Sequence, residues 1–372
     1  MAPAHHQAAA ATTVTTQDIR RAQRADGPAT VLAIATANPE TRRSQDEYAD
    51  FYFRVTKSEH LPQLKEKLKR ICKKSGIENR YTYVNDEVMK AHPEFSDRKL
   101  PSLDARVEIA SNAVPELAAA AAPRAALLGL RHTVCRTILS LHGCYGGCRA
   151  LQLAKELAEN NRGARVLVAC SEISLIAFYG PEEGCTDTDT LVAHALFGDG
   201  SGAVIVGADP VDAVERPLFE MAFASQTTVP DSEGAITVQH KKGGMEYHIA
   251  RGLPEMLAGN IKRCLADAFG AIGVAARWKD LFWAVHPGGR RILDLIEEAL
   301  GLDNGAMAAS RQVLREYGNM SGTTVIFVLN KLRCRFAADG AEGADWGALM
   351  AFGPGITAET ILLRVASGLM GN

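Results

Sequence analysis

Along the chain, short β-branched and apolar runs alternate with longer stretches in which apolar residues recur every three or four positions. The runs are ATVLAIAT from Ala29, TVCRTILSL from Thr133, ARVLVAC from Ala164, GAVIVGA from Gly202 and TVIFVL from Thr324. Largely apolar on both faces, they suit strands buried between layers of helices. Helical spacing covers residues 63–75, 104–120, 149–160, 253–269 and 291–300. Strand and helix in alternation predict an α/β layered fold. From Glu215 the pattern starts again, with a helix, LFWAVHPGG, a second helix, EYGNMSG before TVIFVL, and a closing AFGPGITAETILLRV. Each half thus holds a strand that ends in a glycine-containing turn and feeds a helix. The boundary falls in ADPVDAVER at 208–216, giving halves at 18–210 and 216–372, and residues 337–345 read as a small polar loop.

One turn carries candidate chemistry: SLHGCYGGCRA, from Ser140 to Ala150. Cys144 stands among glycines where a strand-like run meets a helix whose Ala150, Leu153, Ala154, Leu157 and Ala158 form one apolar stripe. Unpaired N–H groups at a helix N-terminus favour an anion, and so a thiolate. Taken alone, the stretch reads more simply as a small residue filling a tight turn. His286 in WAVHPGGR and Asn319 in EYGNMSG occupy similar turns. Singly, a histidine or asparagine there is structural; a Cys, His and Asn all placed beside buried elements make an acyl-transfer constellation. Cys148 reads as packing, because no second Cys/His pair follows at zinc-ligand spacing, and no metal is expected.

Composition narrows the setting. Forty-one basic residues against 43 acidic ones leave a net charge of -2, so no global field draws the chain to nucleic acid or an anionic membrane. Eight cysteines without a secretory apolar stretch point to free thiols in a reducing, cytoplasmic setting. No apolar run reaches membrane-spanning length. Residues 1–17 read as a disordered tail. A papain-like hydrolase is disfavoured, since its C-G-[SA]-C-[WY] neighbourhood is absent.

Seven stretches, RRAQRADGPATVLAIATANP, PSLDAR, HGCYGG, ALFGDGSGAVIVGADP, FWAVHPGG, EYGNMSG and AFGPG, resemble in this order the plant type III polyketide synthases, the chalcone and stilbene synthase superfamily. The resemblance implies a thiolase-like αβαβα fold with two similar halves, working as a homodimer. It implies that Cys144 holds a starter from an acyl-CoA as a thioester and that His286 keeps the thiolate ionised. His286 and Asn319 would then stabilise the enolate formed when malonyl-CoA loses carbon dioxide. No cofactor is implied beyond the CoA thioesters. Phe197 and Tyr247 match gatekeepers of the CoA tunnel, and Ser321, Gly353 and Pro354 join the cavity wall. In QLKEKLKRICKKS, Lys67, Arg70 and Lys74 share one helix face and match ligands of the CoA phosphates.

Departures from the family pattern bear on substrate and on folding. Two cavity threonines of chalcone-forming members fall on Ser174 and Ala177, and a cavity glycine on Val238, which reshapes the space that selects starter and ring closure. These changes point to curcuminoid, alkylresorcinol or pyrone formation from aromatic or fatty acyl starters. Near 122–127 the chain lacks about thirty residues of the family pattern, enough for a strand and a cavity loop. Losing a buried strand exposes apolar surface and unpaired backbone. The alternative reading is therefore a non-catalytic or unstable splice or degenerate variant of such a synthase.

Overall fold

The computed structural model of the chain describes residues 14–122, 133–182, 184, 189–212, 214–340 and 345–369. Its helices are α1 Thr16–Gln23, α2 Gln45–Val55, α3 Pro62–Lys74, α4 Asp86–Ala91, α5 Leu103–Ala121, α6 Gly146–Asn160, α7 Asp189–Leu196, α8 Leu253–Ala271, α9 Arg290–Leu300, α10 Ala308–Tyr317 and α11 Thr324–Asp339. The strands are β1 Thr30–Ala37, β2 Arg42–Ser44, β3 Asn79–Tyr81, β4 Arg165–Glu172, β5 Gly200–Gly207, β6 Phe219–Thr228, β7 Ile236–Lys241, β8 Gly244–Ile249, β9 Phe282–Val285, β10 Trp346–Gly353 and β11 Thr357–Val365.

Seven strands run in the order β4-β5-β1-β6-β11-β10-β9, with β2–β3 and β7–β8 as separate ribbons. All pairs in the large sheet are antiparallel except β9 with β10. Between β1 and β6 the ladder holds only Thr30 with Glu220 and Val31 with Phe219. The sheet is thus two sheets, β4-β5-β1 and β6-β11-β10-β9, hinged at a corner. Helices α6 and α11 each pack on strands of both sheets and so lie between them. Helix α5 covers the outside of the first sheet, and α8, with α9 packed on it, covers the second. Five layers result, αβαβα. The central layer is held by Leu151 and Ala154 of α6 and Ile326 and Leu329 of α11, packed with Val204, Phe219, Leu349 and Ile361 of the sheets.

Four expectations from the sequence need correction. TVIFVL is not a strand but the first turns of α11, so Asn319 precedes a helix. Val325, Ile326, Val328 and Leu329 are fully buried and Phe327 nearly so. These first turns, enclosed by the two sheets, have no polar face, and the sequence there loses the period that marks a surface helix. TVCRTILSL forms no ladder among the described residues, and its Val134, Ile138, Leu139 and Leu141 are exposed. An apolar run becomes a strand only where a neighbour offers its edge. The expected tail also ends early: Thr15 and Asp18 form a reciprocal capping box that starts α1 at Thr16, while residues 1–13 lie outside the described ones. The polar loop expected at 337–345 begins inside α11, and 341–344 lie outside the described residues.

Candidate active site

Cys144 lies in a 3-10 turn, Gly143–Tyr145, that runs directly into α6. The turn is seated by close approaches that a larger residue would block. A Cβ on Gly147 would stand 2.1 Å from the carbonyl oxygen of Gly322. Gly143 has φ +60°, and its Cβ would meet Pro354 Cδ at 3.0 Å. Through these contacts the Cys144 turn is pressed against the turn that opens α11 and against the β10–β11 hairpin.

His286 follows β9, its N–H donating to the Met350 carbonyl across the parallel pair at 2.8 Å, and it is 2% exposed. Asn319, 3% exposed, is stitched to the segment around Phe197: its N–H donates to Leu196 O and its carbonyl accepts from Gly198 N, both at 2.9 Å. The amide side chain is fixed as well. Its Oδ1 accepts from the Ser321 N–H at 2.8 Å, and its Nδ2 donates to Gly288 O at 3.2 Å. Cys144 Sγ faces that Oδ1 at 4.0 Å. One Nδ2 hydrogen of Asn319 is left for a ligand. Both ring nitrogens of His286 are buried without a hydrogen-bond partner among the described residues. These are donors held in place before any substrate charge develops.

Burial dominates the electrostatics. The Cys144 thiol is pushed up to about 12 by desolvation, with the Glu172 carboxylate adding to the rise and hydrogen bonds to Ser321 and Asn319 opposing it. Desolvation alone holds the His286 imidazole down at about 3. Burial thus opposes charge on both groups, and the described hydrogen-bond partner of the sulfur is the Asn319 amide oxygen.

A cavity of about 1720 Å³ joins the sequence-predicted residues. Cys144, His286 and Asn319 line it, with Phe197 and Tyr247 across from them, their rings 5.4 Å apart. Ser174 and Ala177, on one 3-10 turn, line the same space, and so do Val238, paired with Tyr247 across β7–β8, and Ser321, Gly353 and Pro354. Of the three expected CoA ligands on α3, only Lys74 reaches this lining; Lys67 and Arg70 lie farther back on the helix, outside it. Cys148 is fully buried among core side chains, as its spacing implied. Among the described residues no group of three or more His, Cys, Asp or Glu is placed to hold a metal.

Sequence reasoning missed Glu172. This carboxyl ends β4 behind Cys144, and burial raises it to about 7, against the pull of the Gly322 N–H and the Ser321 side chain. Its position in SEIS, directly after a buried strand, was the available signal.

Comparison with known proteins agrees with this geometry. The family model for the N-terminal domain of chalcone and stilbene synthases matches residues 16–127 and 123–210, and that for the C-terminal domain matches 220–367. Bisdemethoxycurcumin synthase of rice, Oryza sativa subsp. japonica, is 49% identical over 388 residues, covering 94% of this chain and 96% of the rice protein. No helix among the described residues is long and apolar enough to cross a membrane. With its thiolase-like five layers, the chain belongs to the chalcone and stilbene synthase family, the type III polyketide synthases that condense a CoA-linked starter with malonyl-CoA and need no cofactor.

Proposed function

We propose that Cys144 is the acyl carrier of this synthase and that His286 and Asn319 drive decarboxylation. His286 takes the thiol proton as the sulfur attacks the starter thioester, and the CoA thiol leaves. The thioester oxygen of malonyl-CoA then lies between the His286 ring N–H and the Asn319 Nδ2. Carbon dioxide departs, the enolate charge falls on that oxygen, and the carbanion attacks the acyl carbon of the acyl-cysteine, breaking its C–S bond and releasing the Cys144 sulfur as thiolate for the next cycle. Phe197 and Tyr247 close the cavity to water, and Ser174, Ala177 and Val238 shape the growing chain. The starter is an aromatic or fatty acyl thioester, and the printed name of the rice relative makes an aromatic starter the first to test. The working unit is a homodimer in the cytoplasm, with no nucleic-acid partner.

The observation that carries this reading is the meeting of Cys144, His286 and Asn319 on one cavity, with the sulfur 4.0 Å from the Asn319 amide oxygen. Incubation with a panel of acyl-CoA thioesters should add one acyl mass to the peptide containing Cys144, and Cys144→Ala should abolish it. Acylation of Cys148 instead would overturn the assignment.

We also infer that a strand of the family fold is missing between Ala121 and Thr133. Three features support it: the N-terminal family model matches in two pieces meeting at 123–127, the rice alignment is longer than this chain, and among the described residues β4 ends its sheet.

A further inference from the structure

We propose that Arg106 is a positioning residue that ties together two walls of the catalytic cavity and so sets the breadth of starter the synthase accepts. The inference rests on the synthase reading of this cavity and adds to it a residue outside the lining. Arg106 comes from PSLDAR, a motif that the chemistry at Cys144 leaves unused. Its guanidinium is fully buried, and its described acceptors are neutral oxygens: Nη1 donates to Leu175 O at 2.5 Å, Nη2 to Phe95 O at 3.2 Å, and Nε to Ser102 Oγ at 2.9 Å. Below it lies the Phe95 ring, 4.2 Å away. Taking a cation out of water is costly, and what the chain gains here is a rigid fork of donors whose directions are fixed.

Each side of that fork stands behind a cavity wall. Leu175 belongs to the 3-10 turn Ser174–Ala177, whose Ser174, Ile176 and Ala177 line the cavity. On the other side, Ser102 Oγ donates to Gly243 O at 3.1 Å, and the N–H groups of Ser102 and Leu103 donate to Lys242 O at 2.8 and 3.0 Å. Lys242 and Gly243 are the tip of the β7–β8 ribbon, which carries Val238 and Tyr247 into the same cavity. Turn, ribbon and guanidinium meet at Gly244: a Cβ there would stand 2.6 Å from Ile176 O and 3.2 Å from Arg106 Nε. The two walls therefore touch backbone to backbone at this point, with no side chain between them to give way. One turn at the start of α5, from Ser102 to Arg106, holds both from behind.

The test is whether starter choice moves while decarboxylation does not. Ser102→Ala cuts the bond to Gly243 and the Nε contact, and it costs no helix cap, because the Ser102 side chain caps nothing. Arg106→Met removes the whole fork at similar length, and Arg106→Lys returns a single charge to its place. A wall freed from its brace yields to a broad acyl group. The ratio of the second-order rates of Cys144 acylation by cinnamoyl-CoA and by hexanoyl-CoA should therefore rise about three- to tenfold in Ser102→Ala and Arg106→Met, with Arg106→Lys between them and wild type. Carbon dioxide release from malonyl-CoA, which falls to His286 and Asn319, should stay within about twofold of wild type. A ratio that stays level or falls in the folded variants overturns the proposal, and so does a loss of decarboxylation in step with both acylations. If Arg106→Met does not fold, Ser102→Ala and Arg106→Lys decide. Failure of the wild-type protein to take an acyl group from either thioester would overturn the functional reading instead. The brace would then be judged by amide exchange: faster exchange of the β8 amides in Ser102→Ala upholds it, and unchanged exchange removes it.

Discussion

In the C-terminal half the β10–β11 hairpin has β6 on one side and β9 on the other, whereas in the N-terminal half β5 and β4 follow β1 and, among the described residues, no strand lies beyond β4. All four residues of β9 are buried, but only Val168 of the eight in β4 is. Both strands end the sheet among the described residues, so an edge alone does not separate them. β9 lies dry against α10 and α11, whereas β4, between α5 and α6, keeps half-wet side chains beside its unpaired edge. Of the proposed catalytic groups, His286 and Asn319 come from the C-terminal half, and Cys144 alone comes from the N-terminal half, whose sheet end is open to water. Its turn is held through Gly147 and Gly143 by contacts to Gly322 and Pro354, which belong to the other half. The Cys144 turn therefore leans on the C-terminal half.

The contrast can be broken first by core truncations. Trp283→Ala in β9 removes a fully buried ring and should cost about 3–5 kcal/mol, while Leu167→Ala in β4 should cost less than about 1.5 kcal/mol. Urea unfolding at matched protein concentration measures both. Equal costs would mean that the β4 edge is covered in solution. Amide exchange sharpens the same point: amides facing the open edge of β4 should exchange at least about tenfold faster than those of β10.

A buried carboxyl gives the next effect. With Glu172 raised to about 7 from an ordinary 4.5, the folded protein keeps a proton that the unfolded chain releases between those values. Stability contributed by this group is therefore full below 4.5 and is lost as pH rises through 7. Glu172→Gln should remove that decline in Tm. It should also remove the carboxylate that raises the Cys144 thiol, and so speed alkylation of Cys144 at pH 8 by up to about tenfold. An unaltered alkylation rate would show that Glu172 does not act on the sulfur. The smallest expected change is on the open flank itself. Ile138 is 91% exposed, so Ile138→Lys should shift stability by no more than about 0.5 kcal/mol while slowing concentration-dependent aggregation.

Much of this was readable from residues, and what was not has physical causes. Helices with a wet side, such as α3, α6 and α9, announced themselves through their apolar spacing. α11 did not, because its first turns are buried between two sheets and apolar all round, and TVIFVL is then indistinguishable from a strand. TVCRTILSL erred in the opposite direction: β-branched composition records a tendency to pair, and pairing is decided by a neighbour elsewhere in the chain. Cys144, His286 and Asn319 were visible because each sits in a glycine-containing turn. Glu172 carried only its place at the end of an apolar run, and it matters through the sulfur behind which it is buried, a relation of the folded chain.

The most direct test of the central claim, that two buried donors of the C-terminal half drive chemistry on a sulfur supplied by the open half, separates decarboxylation from acylation. Release of labelled carbon dioxide from malonyl-CoA and acylation of Cys144 would be measured on wild type, His286→Ala and Asn319→Ala. Either loss should slow decarboxylation by about 10²–10³. Asn319→Ala should still accept an acyl group on Cys144, while His286→Ala, lacking the proton acceptor, should be impaired in both steps. Decarboxylation at the wild-type rate in folded His286→Ala or Asn319→Ala protein would contradict the account.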